Sequence, residues 1–246
     1  MPSADLSRHD QKLEMILRTS ARIFAEKSYH STSMRDISRA TGVSLAGLYH
    51  YCKSKEELLF LIQDHCFGRV SESLEQRIRR IDDPFEKLRI FIDNHLSFFA
   101  ANMAEMKVLS HEAESLAGDL HKHVSSKKEK YAKLARKILR EIQIESEARL
   151  RDPQAGGPAG LARSERATGA STRPNGQVDL TVATYALFGM MNWIYNWYDS
   201  SGKLSVHQLV DNMTRLFLGG FLSTASESFA MSPSRASEKV SIWRTA

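Results

Sequence analysis

The sequence contains little that would cross-link a fold through disulfides, span a membrane or direct secretion. It has two cysteines, six prolines and 13 glycines in 246 residues. Cys52 and Cys66 are too few for the disulfide framework of a small secreted domain. No run approaches the roughly 18 apolar residues of a membrane-spanning helix, and the polar first residues lack a signal-peptide core. We therefore expect a reduced, cytoplasmic protein with no membrane partner.

Recognisable catalytic motifs are also missing. The chain has no GxSxG elbow, no GxxxxGK[ST] phosphate loop and no strand-linked GxGxxG. The segment His111–Ser115 begins like the HExxH motif of zinc proteases but ends in serine. We expect no catalytic residues, no metal site and no cofactor, and therefore no enzyme. A helical enzyme acting on a small molecule is an alternative, which would show turnover.

Most of the sequence has the apolar periodicity of α-helices. Apolar residues recur at three- and four-residue steps in most of the chain, for example from Leu13 to Phe24 and from Leu58 to Leu74. This pattern predicts an all-α protein. Residues 149–176 interrupt it, since they hold five of the 13 glycines and three of the six prolines. We expect a mobile loop there and a flexible tail at residues 231–246.

Residues 33–59 carry the most informative local signals. Ser33 and Asp36 have the spacing of a capping box, which predicts the start of a short helix. Gly42 suits the end of that helix, and Ser44 suits the cap of the next one. The pattern of helix, three-residue turn and helix is that of a DNA-reading helix-turn-helix. The alternative is that these residues only begin and end ordinary helices and do not contact DNA. The charge of +5 permits an anionic partner but does not prove one.

The order and spacing of four segments resemble the TetR family of bacterial transcriptional regulators. They are Thr32–Ile37, Thr41–Ser44, Gly47–Tyr51 and Ser54–Leu59. The resemblance covers about residues 10–70. It implies an N-terminal three-helix DNA-binding domain at residues 1–52, with its motif at 33–52. Cys52 departs from the family, which usually has phenylalanine there.

This resemblance also implies which residues meet DNA. Tyr49, His50 and Lys55 are expected at phosphates, and Leu45 and Ala46 at thymine methyl groups. The complete set of implied DNA contacts is Thr32, Ser33, Arg35, Ser44, Leu45, Ala46, Gly47, Tyr49, His50 and Lys55.

The second half resembles the effector domains of TetR regulators of fatty-acid and sterol degradation. The similar segments include Glu112–Glu114, Phe188–Tyr198 and Phe217–Gly220. The resemblance implies an effector-binding and dimerisation domain at residues 53–230 that binds an acyl-CoA. Ligand contacts are expected from Met103, Met106, Met190, Asn192, Trp193, Asn196 and Trp197. Each of these side chains could instead be core or interface.

Three further segments of the effector domain could form its surfaces and interfaces. The segment 178–198 is apolar almost all round, which predicts burial on more than one side. The last helix is expected to complete a four-helix dimer interface with Leu209, Met213, Leu216, Phe217 and Gly220. The basic helix Lys127–Arg140 could present a solvated face, or Lys133, Arg136 or Arg140 could meet the phosphates of CoA.

Together these patterns predict a homodimeric repressor. It would be released from a pseudo-palindromic, double-stranded DNA operator by a small hydrophobic effector such as an acyl-CoA. One alternative is a TetR-like regulator of a drug or aromatic compound. Another is a DNA-compacting protein with little sequence preference.

Overall fold

The computed structural model describes residues 7–151 and 178–221. Every regular element in these two ranges is helical, which confirms the predicted all-α class. Nine α-helices lie in the described residues: α1 (Arg8–Lys27), α2 (Met34–Thr41), α3 (Leu45–Leu48), α4 (Lys55–Ile78), α5 (Pro84–Ala100), α6 (Met103–His111), α7 (Gly118–Arg151), α8 (Leu180–Asn192) and α9 (Val206–Phe221). Short 3₁₀ turns follow α6 at Ala113–Ser115 and α8 at Trp193–Asn196.

The caps of α2 and α3 are those that the sequence predicts. The Ser33 hydroxyl accepts the Asp36 N–H at 3.2 Å, and the Asp36 carboxylate accepts the Ser33 N–H at 2.9 Å. Gly42 ends α2 with a φ of 66°, a left-handed conformation that glycine adopts without strain. Ser44 caps α3 by accepting the Gly47 N–H. The helix-turn-helix is therefore fixed by bonds between residues close in sequence.

The second helix of this unit is shorter than the apolar pattern from Leu45 to Tyr51 predicts. It ends at Leu48, because the N–H groups of His50 and Tyr51 bond carbonyls three residues back instead of four. Tyr49, His50 and Tyr51 therefore follow α3 in a turn.

Two apolar cores organise the described part of the chain. The first lies under α1–α4 and includes Ile16, Ile37 and Leu48, together with Val108 of α6 and Val124 of α7. The second is centred on α5 and takes side chains from α4 and α6–α9. Because α4, α6 and α7 each contribute to both cores, these three helices join the N-terminal helices to the rest of the molecule.

The structure corrects two expectations about the second half. Helix α7 continues to Arg151, so the first three residues of the predicted 149–176 loop are helical. The rest of that loop and the 231–246 tail lie outside the described residues. The 178–198 segment is not one buried helix: α8 ends at Asn192, and Trp193 and Trp197 are 60% and 51% exposed in the single chain. No helix in the described ranges is long and apolar enough to cross a bilayer.

Candidate DNA-binding unit and effector cavity

The helix-turn-helix presents a polar surface around α3. Tyr49 is 48% exposed although it closes a well-packed turn, and His50, Arg35, Ser44 and Ala46 are also exposed. Leu45 is half-buried. Side chains on a preformed helix end can contact phosphates and base edges without reorganisation. These positions remain the predicted DNA contacts.

Two of the small residues expected at DNA have local structural roles. The Ser33 hydroxyl is held in the α2 cap by Asp36. A Cβ added at Gly47 would lie 3.0 Å from Val43 Cγ1 and 3.1 Å from Ser44 Oγ. Glycine at position 47 therefore lets α3 pack closely on the turn that precedes it.

Thr32 and Lys55 differ from their predicted roles. Thr32 is 2% exposed and its hydroxyl donates to the Ser28 carbonyl, so its side chain does not reach the surface. The Lys55 ammonium donates to the carbonyls of Tyr29 and Thr32, each at 2.9 Å. It also lies 4.4 Å from the centre of the Tyr29 ring. Thr32 and Lys55 therefore stabilise the turn between α1 and α2. The backbone carbonyls that bind the Lys55 ammonium group would compete with a DNA phosphate for it.

Cys52 fits its site as a buried thiol. It is 2% exposed, and its Sγ lies 3.7 Å from the Leu48 carbonyl oxygen. Burial raises the pKa of Cys52 to about 11, so the reactive thiolate is disfavoured near neutral pH. The small Cys52 side chain packs behind α3 and stays buried there.

A cavity of about 480 Å³ lies between α4, α5, α6, α7 and α8. This volume is in the range that holds a drug-sized ligand. Its wall is rich in aromatic rings, contributed by Phe67, Phe99, Tyr131, Tyr185, Phe188 and Tyr195. None of these six was expected as a ligand contact from the sequence, because core and cavity aromatics share the same helical spacing.

A chain of uncharged polar groups lies at one side of this cavity. His95 Nε2 lies 3.1 Å from Asn192 Oδ1, and the Tyr131 hydroxyl lies 3.5 Å from His95 Nδ1. The amide oxygen is an acceptor, so Nε2 carries the proton and Nδ1 accepts from Tyr131. Burial lowers the pKa of His95 to about 4, and the bond to Asn192 offsets only part of that shift. His95 is therefore a neutral imidazole at pH 7.

Lys128 provides the cation at the cavity wall. It is half-buried, and its Nζ lies 5.9 Å from the centre of the Phe67 ring. Burial lowers the pKa of Lys128 below its usual value. Among the described residues, no carboxylate lies within ion-pair distance of it. By contrast, Lys133, Arg136 and Arg140 are exposed and do not line the cavity.

The structure separates the predicted ligand contacts into three groups. Met106, Asn192 and Trp193 line the cavity. Met190 and Trp197 line a neighbouring groove between α8 and α9, and Trp193 borders both spaces. The other two do not line the cavity: Met103 packs against the core, and Asn196 is exposed.

The predicted dimer residues also divide. Leu209, Met213 and Phe217 are less than 9% exposed and belong to the core of the protomer itself, because α9 packs against α5. Leu216 is 70% exposed and Gly220 is exposed. Leu216 lies in an apolar groove of about 550 Å³. The exposed large apolar side chains of α8, α9 and the turn between them are Val182, Tyr185, Trp193, Trp197 and Leu216.

Comparison with known proteins identifies the family. A sequence profile described as bacterial regulatory proteins of the tetR family matches residues 16–62. A second profile, described as the tetracyclin repressor-like C-terminal domain, matches residues 82–156 and 166–221, which is more than half of the chain. The chain belongs to the TetR family. It is thus a DNA-binding transcriptional regulator.

Individual TetR-family relatives support this assignment over nearly the whole chain. The sequence is 27% identical over 236 residues to the HTH-type transcriptional repressor KstR2 of Mycolicibacterium smegmatis, covering 93% of this chain and 98% of the relative. The structure of AibR in complex with isovaleryl coenzyme A and operator DNA is 27% identical, with a TM-score of 0.63 over 83% of this chain and 97% of AibR. KstR2 of Mycobacterium tuberculosis has the same fold, with a TM-score of 0.68 at 18% identity over 89% of this chain and 96% of that one.

Proposed function

We propose that this TetR-family regulator is a homodimeric repressor that an acyl-CoA releases from its operator. The observation that carries the proposal is the aromatic-walled cavity with a neutral His95–Asn192 pair and the unpaired Lys128 at its wall. Such a cavity suits an apolar acyl group attached to a polar, anionic carrier. The likeness to a KstR2 repressor, and to AibR bound to isovaleryl coenzyme A and operator DNA, supports the same choice.

The DNA-binding half of the proposal rests on α2 and α3. A dimer would place its two α3 helices in successive major grooves, about 34–36 Å apart. Tyr49, His50 and Arg35 would then contact phosphates or base edges on each half-site. A pseudo-palindromic operator follows from the two-fold symmetry of such a dimer.

The dimer half of the proposal rests on the exposed apolar face of α8 and α9. Large exposed apolar patches of this kind mark interaction surfaces. Two copies meeting through Val182, Trp197 and Leu216 would form a four-helix interface. The face lies beside the effector cavity, since Trp193 borders both.

Helix α6 offers a direct connection from the effector to the DNA-binding domain. Met106 and Leu109 face the cavity, whereas Val108 belongs to the core under α1–α4. Just after α6, the buried Glu112 carboxylate accepts the Tyr29 N–H at 3.1 Å. A ligand that displaces α6 would therefore shift the DNA-binding domain. Coupling of about 1 to 3 kcal/mol would weaken operator binding roughly 5- to 150-fold.

Fluorescence anisotropy with DNA from the upstream region of the regulator's own gene tests this proposal. We expect sequence-dependent binding that isovaleryl-CoA or palmitoyl-CoA weakens and coenzyme A alone does not. Operator binding unaffected by any acyl-CoA would contradict the effector assignment. Equal affinity for scrambled DNA would favour a compacting protein instead, because specific regulators exceed non-specific binding by roughly 10³- to 10⁷-fold.

The proposed role consists of binding equilibria alone. It requires no catalysed step, so the acyl-CoA should be recovered unchanged after incubation with the protein and DNA. It also locates the protein with chromosomal DNA in the cytoplasm.

A further inference from the structure

The effector cavity adjoins two grooves on the surface of the described chain. One groove, of about 450 Å³, runs between α4 and α7 and shares Phe67 and Tyr131 with the cavity. The other is the α8–α9 groove described above, which shares Gly189 and Trp193 with it. A ligand larger than the cavity can extend into either of them.

Charge distinguishes the two grooves. The α8–α9 groove is lined by apolar side chains and a single amide, Asn212. The α4–α7 groove has Lys127 and Lys130 on one wall, and Lys128 lies between this groove and the cavity beside Phe67. An anionic group gains nothing in the apolar groove and would lose its hydration there.

The three lysines are not equivalent. Lys127 is held by an ion pair with Asp64 of α4. Neither Lys128 nor Lys130 has an ion-pair partner in residues 7–151 and 178–221. Lys128 is half-buried, and the negative charge of Glu114, which lies beyond ion-pair distance, offsets only part of the cost of its burial. A bound anion would relieve the rest of that cost. Lys128 is therefore the cation best placed to bind an incoming anion.

The acidic residues of the groove lie further along it. Contacts between α4 and α7 advance together along both helices, from Phe60–His123 through Asp64–Lys127 to Phe67–Lys128. The lysines therefore lie near Phe67 and Gly68. Glu72 and Glu75 lie one and two turns further along α4.

Gly68 leaves room at this end of the groove. A Cβ added there would have no heavy atom within 4 Å, apart from the neighbouring residues and the nearby backbone of α4 itself. Glycine inside a helix lowers the stability of a protein relative to alanine. The backbone of α4 has no positive φ at this position that would require glycine. The space at Gly68 is thus unfilled beside Phe67, the residue that the cavity and the α4–α7 groove share.

We propose that the effector's phosphate-bearing part leaves the cavity between α4 and α7 at Phe67 and Gly68, where Lys128 binds a phosphate and Lys130 adds a second positive charge. The acyl group stays among the aromatic rings. The Asn192 amide nitrogen, which has no hydrogen-bond partner in the described residues, donates to the thioester carbonyl. This assignment rests on the proposed acyl-CoA effector and names its anion subsite.

Two probes that share the octanoyl thioester and differ in the carrier test the subsite. Octanoyl-CoA carries the phosphates, and the octanoyl thioester of N-acetylcysteamine does not. We expect Lys128→Met to weaken octanoyl-CoA binding about tenfold in calorimetry and to leave the uncharged thioester unchanged. Lys128→Arg should retain most of the affinity. Lys133→Met is the matched control, because Lys133 lies on the same helix but is exposed and paired with Glu129.

A steric pair tests the opening independently of charge. Gly68→Leu should fill the space beside Phe67 and weaken octanoyl-CoA binding about tenfold or more. The affinity for the octanoyl thioester of N-acetylcysteamine should not change. Gly68→Ala adds only a Cβ in open space and should bind both probes as the wild type does.

The outcomes separate this subsite from the proposed function. Unchanged octanoyl-CoA affinity in Lys128→Met, or equal losses for both probes, would overturn the subsite and leave the acyl-CoA effector intact. If no acyl-CoA from isovaleryl to palmitoyl binds the wild-type protein, the effector assignment itself is overturned, and the subsite with it.

Discussion

The DNA-binding domain and the effector domain recognise their partners with opposite architectures. The first presents polar side chains on a surface fixed by caps such as Ser33–Asp36. The second holds its polar groups in the wall of a cavity, and its central bonds join residues 36 and 97 positions apart, Tyr131 to His95 and His95 to Asn192. A preformed surface suits a rigid polyanion, whereas a cavity shared by five helices can change shape with its content. The two recognition events should therefore be separable by mutation, except at α4, α6 and α7, the helices that contribute to both cores.

The largest effect is expected at the proposed dimer face. Leu216→Glu places a carboxylate on the exposed apolar face of α8 and α9, where it would be buried without a partner in the dimer. We expect monomers by analytical ultracentrifugation and operator affinity reduced by more than about 100-fold, since both half-sites are no longer bound together. His207→Glu, on the opposite and exposed side of α9, should remain dimeric. A dimeric Leu216→Glu protein would show that the interface lies elsewhere.

The second prediction separates the two domains through their cores. Leu48 is fully buried under α1–α4, and Leu48→Ala should cost about 2–5 kcal/mol of stability there. Hydrogen exchange should accelerate in α1–α3 and operator binding should weaken, whereas α5 stays protected and acyl-CoA still binds. Loss of acyl-CoA affinity of the same size would mean that the two regions unfold as one unit.

The third prediction concerns pH and the effector cavity. His95 has a pKa of about 4 in the folded protein and about 6.5 unfolded. Between these values the unfolded chain binds more protons, so stability falls as the pH is lowered from 6.5 to 4, by about 3 kcal/mol from this group. Chemical denaturation of wild type and His95→Gln should differ by a term that varies with pH only in this window. A pH-independent difference would mean that His95 is not buried in its neutral form.

The smallest effect is expected for a single DNA contact. Tyr49→Ala should weaken operator binding about tenfold, and Tyr49→Phe somewhat less, because it removes only the hydroxyl. Both variants should stay dimeric and bind acyl-CoA normally, since Tyr49 lies outside the cavity. Anisotropy titrations at one salt concentration measure the change. Full operator affinity in Tyr49→Ala would exclude this side chain from the interface.

The helix-turn-helix could be predicted from sequence because its determinants are local. Ser33, Asp36, Gly42 and Ser44 act on backbone groups within a few residues, and their spacing shows it. The spacing could not show that backbone carbonyls compete with DNA for the Lys55 side chain. Lys55 reaches back 26 residues to the Tyr29 carbonyl, a contact that exists only once α1 and α4 are packed.

The effector site could be predicted only as a region. Asn192, Trp193 and Met106 were recognised as candidates, but the cavity also depends on His95 and Lys128, from helices far away in sequence. A buried histidine in a helix has the same periodicity whether it faces a cavity or a core. The position of Trp197 depends on where α8 ends: the apolar pattern runs to Tyr198, whereas the helix ends at Asn192.

Thermodynamic linkage tests the central claim, that filling the cavity and binding DNA oppose each other. If an acyl-CoA weakens operator binding by a given factor, the operator must weaken acyl-CoA binding by the same factor. The decisive measurement is calorimetric titration of the protein with the acyl-CoA, with and without saturating operator. We predict equal factors of roughly 5- to 150-fold in the two directions. Acyl-CoA affinity that does not change when the operator is bound would contradict the account.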